Sequence, residues 1–205
     1  ASRQPSLSFG YHTLTKPTTV QRRLTIRNLS GAQRSYSLTP AFRYGDDQAS
    51  GAVTPSIVGG GSVTVDAGSE ATVTVRLRIV PSRLPAWPFA FQPTTLGTGS
   101  RLNSAEFDGY ITVSGGGDEI RVPWHVLPRA AANVATAQPV VNLASANPTI
   151  GVSNKGGAID GDWSAFALTG TSGRVPLGLQ PGAGENLATI DLKSVGVRAF
   201  PDFDV

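Results

Sequence analysis

Residues 106–128 constrain the fold most, because they alternate twice about a glycine turn. Phe107, Ile111 and Val113 share one face with Gly109, while Asp108, Tyr110 and Thr112 take the other. Successive side chains in a strand point to opposite sides of a sheet, so a period of two marks a half-buried strand. Gly115, Gly116, Gly117 and Asp118 then reverse the chain, since glycine adopts positive φ without a Cβ clash. On the return, Ile120, Val122, Trp124 and Val126 face one way and Glu119, Arg121 and His125 the other. Pro123 cannot donate a ladder hydrogen bond, which points to a sheet edge or a bulge. Pro128 reads as the end of the strand and the close of a domain.

The chain upstream repeats the pattern. Over 6–14, Leu7, Phe9 and Tyr11 form one face, with His12 opposite. Over 20–29, Leu24 and Ile26 point inward and Arg23, Thr25 and Arg27 outward. Over 33–43, Tyr36, Leu38 and Phe42 share a face, and a loop is expected through Gly45, Asp46, Asp47 and Gly51. A second hairpin is read from 62–65 through the turn 66–69 into 71–80, with Val73, Val75, Leu77 and Ile79 inside. Pro81, Pro85, Pro88 and Pro93 exclude a long regular element from 81–105. Trp87, Phe89 and Phe91 lie in that loop, either plugging the end of a sandwich or forming a contact patch. The plug is the favoured reading, because large aromatics are usually highly buried.

No stretch in 1–128 carries a 3.6-residue stripe. About seven short strands in ~125 residues, all taken as antiparallel, predict an immunoglobulin/fibronectin-III-like β-sandwich. Residues 129–139 read as a linker, and 140–205 as a second, smaller or truncated β domain. The fold class is therefore all-β.

Composition narrows the function. Apolar residues are 40% of the 205, enough for a core, and the charged share of 15% is low for a disordered chain. The net charge of +3 comes from scattered Arg with no basic run interleaved with aromatics, so nucleic acid is not an expected partner. The absence of Cys excludes disulfides, Cys-ligated zinc and thiol catalysis. No apolar run approaches the ~20 residues of a membrane helix. With Ala first and no signal-peptide pattern, the chain reads as an internal piece of something longer.

Three stretches resemble the fibronectin-III-like domain that follows the catalytic domain in many secreted bacterial subtilisin-like serine proteases. They are the strand-turn Leu24–Gly31, the segment from Val63 through Gly68 to Val75, and the pair Phe107–Val113 and Ile120–Trp124. The aromatic-x-Gly-x-Ile strand returning as Val122-Pro123-Trp124 is the most specific part. The resemblance covers about residues 5–128; 130–205 is similar to the less uniform β region that follows in some members. It implies a secreted, non-catalytic region whose partners are the protease domain of the same chain, protein substrates or the cell surface. The family's catalytic triad lies in another domain, so no site residue is carried over.

The residues themselves point to no catalytic set. Gly170-Thr171-Ser172 begins like a subtilisin nucleophile turn, but Gly173 and Pro176 replace the helix that must follow, so Ser172 reads as a loop residue. His12 and His125 fall on polar strand faces without a metal spacing. Asp160 and Asp162, and Asp202 and Asp204, are candidate calcium carboxylates, with turn capping the preferred role. No cofactor is expected. Asn28-Leu29-Ser30 fits the N-glycosylation tripeptide. The alternative function is a carbohydrate- or protein-binding adhesion module of a bacterial surface protein, with Trp87, Phe89, Trp124 and Trp163 as contact aromatics.

Overall fold

The computed structural model describes residues 6–87, 105–138, 140–142, 144, 146, 148–173 and 193–198. The chain divides into two compact units, Ala1–Gly161 and Asp162–Val205. The first contains β1 (Leu7–Leu14), β2 (Thr18–Arg27), β3 (Arg34–Phe42), a short helix α1 (Gly45–Ser50), β4 (Val53–Val58), β5 (Ser62–Val65) and β6 (Glu70–Ile79). After a 3-10 turn at Pro81–Arg83 come β7 (Phe107–Gly115), β8 (Asp118–Ala130), β9 (Ala135–Thr136) and β10 (Val152–Ser153). One sheet has the order β1-β8-β7-β3-β5 and a second the order β2-β6-β4. Phe9, Leu38, Ile111, Trp124 and Val126 of the first sheet meet Ile26, Val53, Val75, Leu77 and Ile79 of the second in one core. This is an all-β, immunoglobulin-like sandwich.

The β7–β8 hairpin forms as its alternation predicts, in register from Phe107↔Val126 to Gly115↔Asp118. Gly116 and Gly117 take the positive φ values that the turn needs. The two prolines of β8 sit where the strand lacks a neighbour on one side among the described residues. β1 begins opposite Trp124, just past Pro123, and β7 begins opposite Val126, before Pro128. A proline missing its N–H is tolerated there. Pro128 therefore does not end the strand, which runs on to Ala130.

Four further expectations are corrected in the strand arrangement. The sandwich is not wholly antiparallel, since β1 runs parallel to β8. The register shifts between Ser8 and Tyr11, where Gly10 has φ 82°, and this bulge inverts the strand's phase. Leu7 and Phe9 are buried as expected, but past the bulge Leu14 is buried and Tyr11 turns out to solvent. The segments 62–65 and 71–80 do not pair with each other. β5 pairs with β3 in one sheet and β6 with β2 and β4 in the other. The turn at Gly68, closed by Ser69 N–H to Asp66 O (3.1 Å), thus carries the chain between sheets. Finally, the expected loop after Phe42 holds α1, capped by Gly51 in the left-handed conformation, and then β4.

Gly109 shows why glycine interrupts the inner face of β7. It lies opposite both Phe42 and Trp124. A Cβ there would fall on the carbonyl oxygen of Ala41 and within 2.9 Å of Phe42 Cα and Trp124 Cζ2. Backbone cannot move aside as a flexible side-chain tip does, so Gly109→Ala is expected to destabilise the protein by about 2 kcal/mol. Urea unfolding of the variant measures this.

Past β8 the chain stays hydrogen-bonded to the sandwich unit. Ala131 N–H donates to Leu14 O at 2.9 Å, and Ala158 N–H to Ala131 O at 2.9 Å. β9 and β10 pair antiparallel. Asn154 Oδ1 accepts from Asn133 N–H, and its Nδ2 donates to Ile159 O. The segment read as a linker thus begins with the last residues of β8 and includes β9. In the second unit β11 (Ala167–Thr171) pairs antiparallel with β12 (Ser194–Val197). Leu168, Val195 and Val197 of this ribbon are exposed, as is Phe166 just before it. No helix is long and apolar enough to cross a membrane among the described residues.

Candidate functional site

Among the described residues, the sandwich is open along one side. β2 has β6 as its one strand neighbour among the described residues, and β8 from Asp118 to Pro123 has only β7. Between these two edges runs a groove of about 490 Å³. Leu24 and Ile26 of β2 line one wall, and Val113, Ile120 and Val122 of the hairpin line the other. Ile120 is 62% exposed although it belongs to the apolar face of its strand. Leu29, at the groove's end, is 81% exposed.

Asn28 closes that end. It is fully buried and is the one polar residue buried among the described residues. Its Nδ2 donates to Ala32 O (2.7 Å), Val65 O (3.0 Å) and Asp66 O (3.2 Å). Its Oδ1 accepts from Ser30 N–H (3.0 Å) and Ser30 Oγ (2.7 Å), and more distantly from Tyr36 Oη (3.4 Å). One amide thus satisfies the carbonyls of two turns, one leaving β2 and one leaving β5. The tripeptide beginning at Asn28 is therefore a structural turn: its amide nitrogen is taken by carbonyls and is closed to a glycan.

Backbone direction along β2 follows from two hydrogen bonds. Asn28 N–H donates to Ser69 O, which marks 28 and 69 as a hydrogen-bonded pair. In an antiparallel ladder such pairs alternate with pairs whose N–H and C=O groups point away. The register pairs Arg23 with Thr74, Thr25 with Thr72, and Arg27 with Glu70, so these three residues of β2 present their backbone groups to the open edge. The bond from Val80 N–H to Ala52 O sets the same alternation for β6 and β4.

The solvent face of this sheet is mainly basic. Arg23 and Arg27 of β2 and Arg76 and Arg78 of β6 alternate with Thr25, Thr72 and Thr74, and Glu70, opposite Arg27, is the acidic residue beside them. None of these four arginines joins an ion pair among the described residues. Arg76 Nε is buried without a hydrogen-bond partner. By contrast, Arg34 on the larger sheet is engaged, donating to Gly116 O at 3.1 Å and lying 3.8 Å from Asp118.

The residues singled out in the sequence do not converge. Trp124 is removed from the set of contact aromatics. It is 1% exposed, stacks edge-on against Phe42 at 5.4 Å, and donates Nε1–H to Ala41 O at 3.2 Å. Trp87 is half-buried, tilted against Tyr11 at 6.1 Å with the Arg129 guanidinium 5.2 Å above its ring. Trp163 is exposed in the second unit, and Phe89 lies outside the described residues. Asp160 and Asp162 are both exposed, Asp202 and Asp204 lie outside the described residues, and no cluster of three metal-ligating side chains occurs among the described ones. His12 bonds to Phe9 O at 2.8 Å and His125 to Glu106 at 2.7 Å. Ser172 directs its hydroxyl at Gly173 O.

Asp47 in α1 has a displaced acidity. Burial, then the charges of Asp46 and Asp108, push its carboxyl up to about 6. Its Oδ2 is buried with no hydrogen-bond partner. An unfolded aspartate ionises near ~4. Between those values the folded protein keeps a proton that the unfolded chain has released, so this group makes stability fall as pH rises from about 4 to about 6. Asp47→Asn is expected to flatten that slope and to stabilise the protein at neutral pH by about 1 kcal/mol, after discounting for partial exposure. Urea titrations at acidic and neutral pH decide it.

No family model matches the chain, and no curated protein matches it. Three of the solved structures similar to it are the following. A FixG-related protein from Vibrio parahaemolyticus is 14% identical, with 54% of this chain and 78% of that chain covered and a TM-score of 0.35. The CupB2 chaperone of Pseudomonas aeruginosa is 13% identical, with 74% and 67% covered and a TM-score of 0.33. The CsuC-CsuE chaperone-tip adhesion subunit pre-assembly complex of Acinetobacter baumannii is 14% identical, with 77% and 76% covered and a TM-score of 0.27. No residue role is transferred from any of them.

Proposed function

We propose that this chain is the non-catalytic accessory region of a secreted subtilisin-like serine protease, holding or extending the catalytic domain and contacting large protein substrates. The observation that carries the reading is where the family-like residues lie. Phe107, Gly109 and Trp124 form one interlocked unit of β7 and β8, with Trp124 in register with Gly109. Leu24–Gly31 contains the Asn28 hub, and Val63–Val75 contains the crossing between sheets. The residues most like the family's are thus those this sandwich depends on. The test is a parent protease with and without this region. Deletion is expected to slow cleavage of a folded protein and shorten the half-life at elevated temperature, while leaving turnover of a small chromogenic peptide within about twofold. Equal loss on both substrates would assign these residues to the catalytic machinery and sink the proposal.

A second reading, a surface adhesion module, draws on the exposed ribbon of the second unit. A two-stranded ribbon is marginal in water without something to cover it. Trp163, Phe166 and Leu168 are each more than half exposed, at 53%, 61% and 54%. A glycan-array screen of the chain, against Trp163→Ala, separates this reading from the first. Binding lost on substitution supports it, and no binding to any glycan removes its carbohydrate form.

A further inference from the structure

We infer that the open edge of β2 is a strand-docking site for an extended segment of another protein, one in which apolar residues alternate with carboxylates. The inference goes beyond the proposed function and does not depend on which parent chain carries the sandwich. Three features on β2 define the guest. The backbone N–H and C=O groups of Arg23, Thr25 and Arg27 point to the open edge, as the ladder alternation requires. A strand laid there gains main-chain hydrogen bonds, and its side chains then alternate between two surroundings. Those on the inner side enter the groove beside Leu24 and Ile26, against Val122 and the largely exposed Ile120. Those on the outer side lie next to Arg23, which has Thr74 opposite it, and Arg27, which has Glu70 opposite it; neither arginine forms an ion pair among the described residues. Apolar side chains suit the first place and Asp or Glu the second.

The same charges argue against a second copy pairing β2 to β2, because that would set Arg23 and Arg27 against like charge. Basic residues on an edge also serve simply to repel stray strands. A guard of that kind rejects an acidic strand no more than it rejects salt, whereas a docking edge selects for one. The two roles therefore separate by experiment.

The probe is a short synthetic peptide of alternating Val and Glu, fluorescently labelled and titrated against the intact chain by anisotropy. A peptide of the same composition with Val and Glu in separate blocks, and one of alternating Val and Lys, serve as comparisons. Thr25→Pro is the decisive variant. The Thr25 N–H faces the open edge, so proline there removes no β2–β6 ladder bond but deletes a donor to an added strand. Saturable binding of the alternating Val/Glu peptide, weakened about tenfold or more by Thr25→Pro and transferred to the Val/Lys peptide by R23E together with R27E, is the result expected. If Thr25→Pro does not fold, amide hydrogen exchange of the unaltered protein decides. The Arg23, Thr25 and Arg27 amides slow on adding the Val/Glu peptide if the inference is right. It is overturned if no peptide binds, if the blocked peptide binds as well as the alternating one, or if Thr25→Pro binds unchanged. Concentration-dependent dimers that Thr25→Pro abolishes would give the edge to a second copy and overturn it too.

Discussion

Trp124→Ala lowers the free energy of unfolding by about 4 kcal/mol, the largest single effect expected in this chain. The indole is 1% exposed and is the largest of the fully buried side chains. It stacks edge-on against Phe42, and Gly109 of β7 leaves the space that its ring occupies. Truncation leaves a cavity whose walls include backbone of β3 and β7, and paired strands close such a space only in part. It also removes the hydrogen bond from the indole N–H to Ala41 O. Trp124→Phe keeps most of the apolar contact but gives up that hydrogen bond and part of the ring's volume, for a loss of about 2 kcal/mol. Ile120→Ala on the same strand is the control, because its side chain is largely exposed and its loss stays within about 0.5 kcal/mol. Chemical denaturation of the three variants gives the ranking. Trp124→Ala indistinguishable from Ile120→Ala would contradict the core described above.

The second large effect is at Asn28. Asn28→Asp keeps the side chain's shape but replaces the Nδ2 donor with an oxygen facing the carbonyls of Ala32, Val65 and Asp66. A buried carboxylate surrounded by acceptors is penalised twice, by lost hydrogen bonds and by desolvation. The expected cost is about 3 kcal/mol at neutral pH. Protonating the new carboxyl restores one donor, so the loss shrinks as pH falls, whereas Asn28→Ala shows no such recovery. A pH series of urea midpoints for both variants tests the pair. Equal pH responses would mean that the amide does not bridge the two turns.

The distribution of what could be read in advance has a physical cause. Alternation reports which face a residue takes, so the inner faces of β2, β3, β6, β7 and β8 were legible. It does not report which strand lies alongside. Val63–Val65 and Val73–Ile79 look like two arms of a hairpin, and only the packed structure shows them in different sheets. β4 was hidden because Pro55 breaks the expected strand chemistry, although Val53 and Ile57 keep the alternation. At Gly10 a bulge reverses the phase, and Tyr11 faces solvent where simple counting buries it. Asn28 stands out in the sequence as part of the strand-turn Leu24–Gly31 and of a common tripeptide, but not as a hub, because its partners come from its own turn and from two other segments. The candidate groove was half legible. Leu24, Ile26, Ile120 and Val122 were assigned to inner faces, but their accessibility depends on where β1 begins beside β8. Among the aromatics, alternation places Trp124 on an inward face, and its burial excludes it as a contact residue.

One measurement bears most directly on the central claim: the identity of the polypeptide that carries these residues in the cell, established by isolating it and sequencing its gene upstream of Ala1. The account predicts, in the same chain, a subtilisin-like domain with its Asp, His and Ser in separate motifs, the Ser leading into a helix. A polypeptide made of further β-sandwich modules with no such domain would contradict the accessory role.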